Sequence, residues 1–327
     1  MILAGDIGGT NTRLAFADEK AGCRTLVAEA TFSSREHASL VSVLRKFLSA
    51  HPIPITRAAF GIAGPVRHGR CDATNLPWVV DSHLVAREIG LERVGLINDL
   101  EANAYGVAAL QREDFVLLNE GAVNAEGNAA IISAGTGLGQ AVLYWDGRQH
   151  HPFATEGGHA DFAPRNHLEM ALLEYLMKQF QRVSYERVVS GPGLLSIYRF
   201  LRDTGRGEEP QWLAERMHQQ DPSAIISQSA LRGESELCAQ ALDLFVTLYG
   251  AEAGNLALKV MATGGVYLGG GIAPKIVEEL KAPAFLNAFT SKGRMRPLLE
   301  AMPVRVILNQ KTALLGAARF ATLYAAD

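Results

Sequence analysis

The chain has little of what would tie it to an oxidising compartment, a membrane or a nucleic acid. Its 327 residues include only three cysteines, Cys23, Cys71 and Cys238. Odd in number and far apart, they fit neither a disulfide framework nor a zinc motif. No apolar run is long enough to span a bilayer, since even the helical stretch over 237–261 is interrupted by Asp243, Glu252, Asn255 and Lys259. Charge of neither sign dominates: 31 Lys and Arg stand against 34 Asp and Glu, a net charge of −3 that offers no bulk attraction to nucleic acid or an anionic surface. A strand pattern starts at Met1 and leaves no room for a basic, apolar leader. The expectation is a cytoplasmic protein with small-molecule partners, no nucleic acid and no membrane. At 48% hydrophobic and 20% charged residues, the chain is globular and longer than one core usually supports, so two domains are expected.

What the chain does have is one device used twice. Asp6-Ile7-Gly8-Gly9-Thr10-Asn11 lies between the apolar runs 1–5 and 13–17, and Gly135-Thr136-Gly137-Leu138-Gly139 lies between 129–133 and 140–145. Each reads as a β-hairpin whose glycine-rich tip tolerates positive φ and brings bare amides close to an anion, with Thr10 and Thr136 adding hydroxyls. Either alone is compatible with an ordinary tight hairpin. Together they suggest one polyphosphate gripped from both sides. No Gly-Lys-Ser/Thr follows, which excludes a Walker A loop, and strands rather than helices follow the turns, which excludes a Rossmann fingerprint. A strand-turn-strand phosphate loop in each of two halves suggests the actin, Hsp70 and sugar-kinase architecture.

Further elements follow from spacing. Apolar residues over 37–50 recur at helical intervals, a strand covers 58–63, and Ser82 reads as the N-cap of a helix to Ile89 that Gly90 stops. A short buried strand over 94–97 delivers Asn98 and Asp99 at its carboxyl end, where open α/β sheets bind ligands. A helix over 101–110 and a polar stretch over 120–128 then close the first domain. Helices over 167–181, 193–204, 212–219 and 234–261, strands over 266–268 and 304–308, and a terminal helix over 313–324 fill the second.

Among polar residues, Asp99 follows an apolar run, an expensive place for a charge without a use. It suits a base that takes a proton from a substrate hydroxyl, and it equally suits a cap for the next helix. Glu156-Gly157-Gly158-His159 sets a carboxylate and an imidazole across two glycines that permit a tight bend. The alternatives are a His159/Asp161 metal pair and a loop histidine without a ligand, while His150, His151 and His167 read as solvated. Glu186, just before a helix opened by Gly191 and Pro192, would alone be a capping or surface glutamate. Gly269-Gly270-Gly271 is either a plain turn or, before a helix from Ala273 or Pro274, a seat for nucleotide phosphate or ribose.

The ordered set Asp6-Ile7-Gly8-Gly9-Thr10-Asn11, Ile97-Asn98-Asp99, Gly135-Thr136-Gly137-Leu138-Gly139, Glu156-Gly157-Gly158-His159, Glu186 through Gly193 and Gly270-Gly271-Ile272 strongly resembles the bacterial glucokinase family. Thr74-Asn75-Leu76-Pro77-Trp78 also matches that family's pattern. The resemblance covers nearly the whole chain. It implies an α/β, two-domain actin-like ATPase (ribonuclease H-like) fold, each domain a mixed β-sheet flanked by helices. The expected small domain spans 1–110, with a helix at about 313–327 packing back on it. The large domain spans 111–312, with the active site in the cleft between them.

By the same resemblance the activity is transfer of the γ-phosphoryl of Mg-ATP to the 6-hydroxyl of D-glucose, in glycolysis, by a homodimer. Asn98, Asp99, Glu156, His159 and Glu186 would bind the sugar, with Asp99 as general base. Asp6, Gly8, Gly9, Thr10, Asn11, Gly135, Thr136, Gly137, Gly270 and Gly271 would hold ATP, with Asp6 near Mg²⁺ through water. Asn309 through Gly316 departs from the Asn-Pro-containing approach expected in the family, on the side of the nucleotide base. ROK sugar kinases also begin Asp-Ile-Gly-Gly-Thr but carry a cysteine-rich zinc cluster after their Glu-x-Gly-His motif, and none follows His159 here. A sugar-responsive regulator on this fold would need a helix-turn-helix before the first hairpin, and an actin-like ATPase would not need the five-residue sugar set.

Overall fold

The computed structural model describes residues 1–73 and 76–324. Thr74 and Asn75 of the Thr-Asn-Leu-Pro-Trp segment, and residues 325–327 of the expected terminal helix, lie outside the described residues. The chain divides into two compact units, Met1–Asp114 with His151–Ala154 and Asn309–Asp327, and Phe115–His150 with Thr155–Leu308.

In the first unit, β1 (Ile2–Ile7) and β2 (Asn11–Ala17) form the expected hairpin, Ile2 opposite Ala17 and Ile7 opposite Thr12. With β3 (Leu26–Ser33) and the later β4 (Arg57–Ile62) and β7 (Gly95–Asn98) they build a sheet in the order β3-β2-β1-β4-β7. The antiparallel hairpin joins a parallel half, since β1 runs parallel to β4 and β4 to β7. Edge strand β3 alternates half-buried and exposed residues, whereas β1 and β4 are buried almost throughout, as interior strands of a covered sheet should be. Between them, α1 (Leu40–Ala50) starts at Ser39, whose hydroxyl accepts from the Ser42 amide, and buries Leu40, Val43, Leu44 and Phe47 on one face.

A two-stranded ribbon, β5 (Arg70–Asp72) with β6 (Val79–Asp81), precedes α2 (Ser82–Ile89). The cap lies one residue earlier than the sequence suggested. Asp81, not Ser82, accepts from the His83 and Leu84 amides at 2.8 and 3.2 Å, because a carboxylate with a β-region backbone reaches both orphan donors. Gly90 ends this helix in the left-handed conformation, φ 71°. Likewise α3 (Asp99–Val107) begins two residues before expectation, since Asn98 itself is the N-cap.

The second sheet, which belongs to the second unit apart from residues 151–154, repeats the first sheet's plan. After β8 (Phe115–Asn119) come β9 (Ala129–Ala134), β10 (Leu138–Trp145) and β11 (His150–Thr155), in a sheet ordered β11-β10-β9-β12-β13-β8 with β12 (Gly265–Gly269) and β13 (Val304–Ile307). Hairpin β9/β10 is antiparallel, and β9, β12 and β13 are parallel neighbours. The order from β11 to β13 therefore matches that from β3 to β7, with β8 added antiparallel at the far edge. Two expectations change. Residues 120–128 do not close the first unit, since β8 before them already pairs with β13. His151 is exposed as expected, but His150 is half-buried in the strand, its ring 4.9 Å from that of Trp145 and its Nε2 3.0 Å from Gly127 O.

Helices α4 (His167–Met177), α5 (Gly191–Asp203), α6 (Gln211–Gln219), α7 (Pro222–Leu231) and α8 (Glu236–Val260) follow β11. Short α9 (Val277–Lys281), α10 (Pro283–Thr290) and α11 (Arg296–Glu300) precede β13. Helix α8 is buried along most of its length and packs with α5, α7 and α10 into one core that includes Tyr198, Phe245, Tyr249, Phe285 and Phe289.

The last helix, α12 (Thr312–Tyr324), belongs to the first unit. Its Leu314, Ala317, Ala318 and Ala321 pack on Ile2, Ala4, Ala15 and Ala59. At its crossing with α3, a Cβ on Gly316 would overlap Ala102 O and one on Gly106 would overlap Thr312 O, so only glycine allows this approach. Asn309, four residues before the helix expected at 313, is already in this unit, donating from Nδ2 to Asp114 Oδ1 at 3.0 Å.

Candidate active site

The residues singled out as phosphate-holding sit at the carboxyl ends of equivalent strands in the two sheets. In the first unit, the turn 8–10 follows β1. Gly8 N donates to Asn11 O at 2.9 Å, while Thr10 and Asn11 are exposed at the tip. A residue the sequence did not point to locks this turn: buried Ser34 donates from Oγ to Gly8 O at 2.8 Å, lies 2.9 Å from Thr12 Oγ1, and gives its amide to Thr10 O. A serine after a strand carries no sequence signal for that task.

Asp6, near the end of β1, faces Arg13 across the hairpin register. Burial pushes its carboxyl above the ordinary carboxylate range, and the Arg13 guanidinium only partly opposes this. A carboxylate so disfavoured gains from a divalent cation nearby, so the donor chemistry fits the expected metal role.

In the second unit, turn 135–137 follows β9, with Gly135 N donating to Gly137 O at 2.9 Å and Thr136 exposed. Gly137 serves close approach rather than backbone freedom, while Gly135 faces open space. None of Gly8, Gly135 and Gly137 has positive φ, while a Cβ on Gly137 would stand 2.5 Å from Glu186 Oε2. Gly270 does have positive φ, 81°, and its Cα lies so close to Ala134 that a Cβ would overlap the Ala134 carbonyl; the Ile272 amide donates to Ala134 O at 3.2 Å. The structure thus brings Gly270 and Gly271 beside the 135–137 turn. Buried Ser133 Oγ, which has no hydrogen-bond partner, lies against Gly269. The helix expected to open at Ala273 is a 3₁₀ turn, Ala273–Ile276, before the five-residue α9, because Pro274 supplies no amide and Lys275 N bonds back to Ile272 O.

The sugar-directed residues are also brought together within each unit. Asn98 Oδ1 accepts the Leu100 amide at 2.9 Å and its Nδ2 donates to Gly64 O at 3.1 Å, so the carboxamide is fixed at both ends. Asp99 occupies the first position of α3, with Oδ1 3.0 Å from the Leu100 amide. Glu156, Gly157, Gly158 and His159 form a 3₁₀ turn in which His159 N donates to Glu156 O. Gly158 is obligatory, because a Cβ there would overlap the backbone Leu138 O, and a Cβ on Gly157 would displace Gln140 Oε1.

The imidazole of His159 stands between two carboxylates, Nε2 3.9 Å from Glu156 Oε2 and Nδ1 4.0 Å from Glu186 Oε1. These gaps exceed hydrogen-bond length, so the three groups keep donors and acceptors for a ligand. The other Glu186 oxygen accepts the Leu138 amide at 3.0 Å, joining the carboxylate to the strand that leaves the phosphate turn. Asp161 does not pair with His159 as a metal ligand; its carboxylate takes Arg182 Nη1 at 2.8 Å, and the same nitrogen donates to His159 O.

Behind this turn lies a polar chain of which the sequence reading noted only Glu252 and Asn255, as interruptions of an apolar helix. Gln140 donates to Glu252, Asn255 donates to Glu252 and to Tyr185 OH, and Lys292 donates to Asn255. Burial raises the Glu252 carboxyl, lowers the Lys292 ammonium to about 8 and lifts the Tyr185 hydroxyl to about 12.

Two sheets that share one strand order, with a glycine turn after β1 in the first and after β9 in the second, define the actin-like ATPase fold to which sugar kinases belong. A family model described as Glucokinase matches residues 3–324. The glucokinase of Nostoc sp. is 45% identical over 334 residues, which cover 97% of this chain and 98% of that protein. That of Synechocystis sp. is 43% identical, with 97% and 96% covered. A crystal structure of glucokinase from an Antarctic psychrotroph aligns at a TM-score of 0.85 and 31% identity over 98% of both chains. One from Balamuthia mandrillaris in complex with glucose aligns at 0.77 and 22%, covering 98% of this chain and 93% of that one, which speaks for the fold alone. The chain belongs to the glucokinase family.

Proposed function

We propose that this protein transfers the γ-phosphoryl of ATP to the 6-hydroxyl of D-glucose, giving glucose 6-phosphate and ADP. The observation that carries the reading is His159 held between Glu156 and Glu186 at distances that leave all three to a polyol. A sugar offers a ring of hydroxyls, each a donor and an acceptor, so carboxylates and a carboxamide bind them in pairs while the imidazole supplies a donor. Asn98, Asp99, Glu156, His159 and Glu186 are assigned to glucose on that ground. Asp99 accepts the 6-hydroxyl proton as the oxygen attacks the γ-phosphorus, and the β,γ-bridging oxygen leaves with ADP.

The exposed tips at Gly8, Gly9, Thr10 and Asn11 and at Gly135, Thr136 and Gly137, with Gly270 and Gly271, are assigned to ATP. Asp6 is assigned to water around Mg²⁺, which when bound neutralises charge on the transferring phosphoryl. Because transfer passes through a loose transition state, the chain's contribution is positioning and the exclusion of water, which would otherwise accept the phosphoryl. The reading further places the enzyme in the cytoplasm, at the entry of glucose into glycolysis, as a homodimer. No helix among the described residues is long and apolar enough to cross a membrane, consistent with soluble substrates.

The test is purified protein with Mg-ATP and glucose, mannose, fructose, galactose or N-acetylmannosamine, following ADP and sugar phosphate together. Glucose-dependent turnover yielding glucose 6-phosphate is expected. ADP release that ignores sugar would overturn the reading, and preference for another hexose would overturn its substrate.

A further inference from the structure

We propose that Gln140, Glu252, Asn255 and Lys292 form a positioning network that holds the Glu156–His159 turn and the Glu186 turn in one geometry and thereby sets glucose affinity. The inference rests on the assignment of those turns to the sugar. Strand β10, helix α8 and the segment after α10 meet in it. Gln140 on β10 donates from Nε2 to Glu252 Oε1 on α8 at 2.8 Å. Its Oε1 lies against Gly157 so closely that a Cβ there would have to displace the Gln140 carboxamide. Gln140 O also accepts from Thr155 Oγ1 at 3.1 Å, and the same hydroxyl accepts the Gly157 amide at 3.2 Å. One side of Gln140 is thus the floor of the Glu156–His159 turn, and the other is tied to a buried carboxylate.

Asn255, one turn further along α8, reaches the second turn. Its Nδ2 donates to Glu252 Oε2 at 3.0 Å and to Tyr185 OH at 2.9 Å, and Tyr185 immediately precedes Glu186. The Tyr185 hydroxyl also holds a backbone hydrogen bond with Ala163, four residues after His159. Lys292 fixes the polarity of the whole chain of bonds, since an ammonium can only donate. It gives one proton to Asn255 Oδ1 at 2.6 Å and another to Ala251 O at 2.9 Å, which forces the Asn255 amide nitrogen toward Glu252 and Tyr185.

Such a network is a poor way to stabilise a fold. Glu252 is fully buried and Lys292 half-buried; both are disfavoured as ions, with Arg165 a further like charge on Lys292 and Glu169 and Glu252 opposing. Apolar replacements of similar volume in such places are often neutral or stabilising. What an apolar core would not supply is a single orientation of Gln140 beneath Gly157 and of Tyr185 beside Glu186.

Gln140→Met and Lys292→Met keep side-chain length and remove the bonds at either end. Both should raise the glucose KM roughly tenfold, on the scale by which small misplacements of positioned groups act, with ATP KM and saturated kcat within about twofold. Hydrogen exchange, read without any substrate, should speed up in the segment 155–163 for Gln140→Met and in 183–190 for Lys292→Met. Unchanged exchange in both variants would overturn the network whatever the substrate is. Faster exchange with an unchanged glucose KM would overturn its link to affinity, and a lowered melting temperature with both KM values rising together would make the role merely structural. An enzyme that ignores glucose would refute the proposed function, leaving exchange to judge the network.

Discussion

Replacing Glu186 by glutamine isolates one oxygen of the sugar site. The turn that carries it, Tyr185–Arg187, is fixed by main-chain bonds and by Ser190, whose hydroxyl donates to Glu186 O at 2.6 Å. Gly137 closes off one side, so the side chain has little freedom to rotate. In Glu186→Gln the amide oxygen stays on the Leu138 N–H, which would otherwise lose its acceptor. The amide nitrogen then replaces the oxygen that now stands 4.0 Å from His159 Nδ1, putting a donor where an acceptor and a negative charge had been. A hydrogen bond to a charged group contributes about 1.5–3 kcal/mol, so the glucose KM should rise about 10- to 150-fold with saturated kcat within about threefold. Melting temperature should move by less than about 2 °C, since no buried group loses its partner. Initial rates over a glucose series at saturating Mg-ATP decide the matter. A fall in kcat at unchanged glucose KM would refute the argument, because Glu186 would then act on the transition state alone.

Three other substitutions probe the remaining assignments. Asp99→Asn keeps an oxygen for the Leu100 amide and so the start of α3, yet kcat should fall about 100-fold or more with glucose binding still measurable by calorimetry, as removal of a general base does; unchanged turnover would dismiss that role. Asp6→Asn should abolish Mg-ATP turnover and raise the melting temperature of the ligand-free protein. The sign follows from burial: its folded pKa lies above the unfolded value, so the group favours folding at acid pH and loses this as pH rises through the folded pKa. A ligand-free melting temperature lowered at neutral pH would contradict it. Ser34→Ala should cost about 1–3 kcal/mol in urea unfolding by leaving buried Thr12 Oγ1 short of a partner, and should raise the ATP KM more than the glucose KM.

How far the sequence could be read depended on whether a feature was local. Hairpins β1/β2 and β9/β10 were legible because alternation and glycine lie within a few residues; the bend at Glu156-Gly157-Gly158-His159 was legible too, although its glycines make room for Gln140 and Leu138 instead of supplying positive φ. The positive φ expected at the hairpin tips does not occur there, and at Gly137 the missing Cβ instead makes room for Glu186 from a distant segment, while Gly270, read from sequence as a turn or a nucleotide seat, is the glycine that adopts positive φ. Asp81 took the cap from Ser82 on backbone geometry that composition does not reveal. Gln140, Glu252, Asn255 and Lys292 were out of reach for the same reason: Gln140 and Lys292 are separated by most of the second unit, and only folding sets them end to end. Glu252 gave the one hint, a carboxylate inside an apolar helix.

The placement of α12 makes the order of synthesis matter. The first unit opens at Met1 and is completed by a helix ending at Tyr324, whereas the second occupies the chain between. On the ribosome, all of the second unit emerges while Ile2, Ala4, Ala15 and Ala59 still lack the alanine face that covers them. The unit whose synthesis begins first is therefore finished after the second, and until α12 is made it carries an uncovered apolar patch of the kind that chaperones hold.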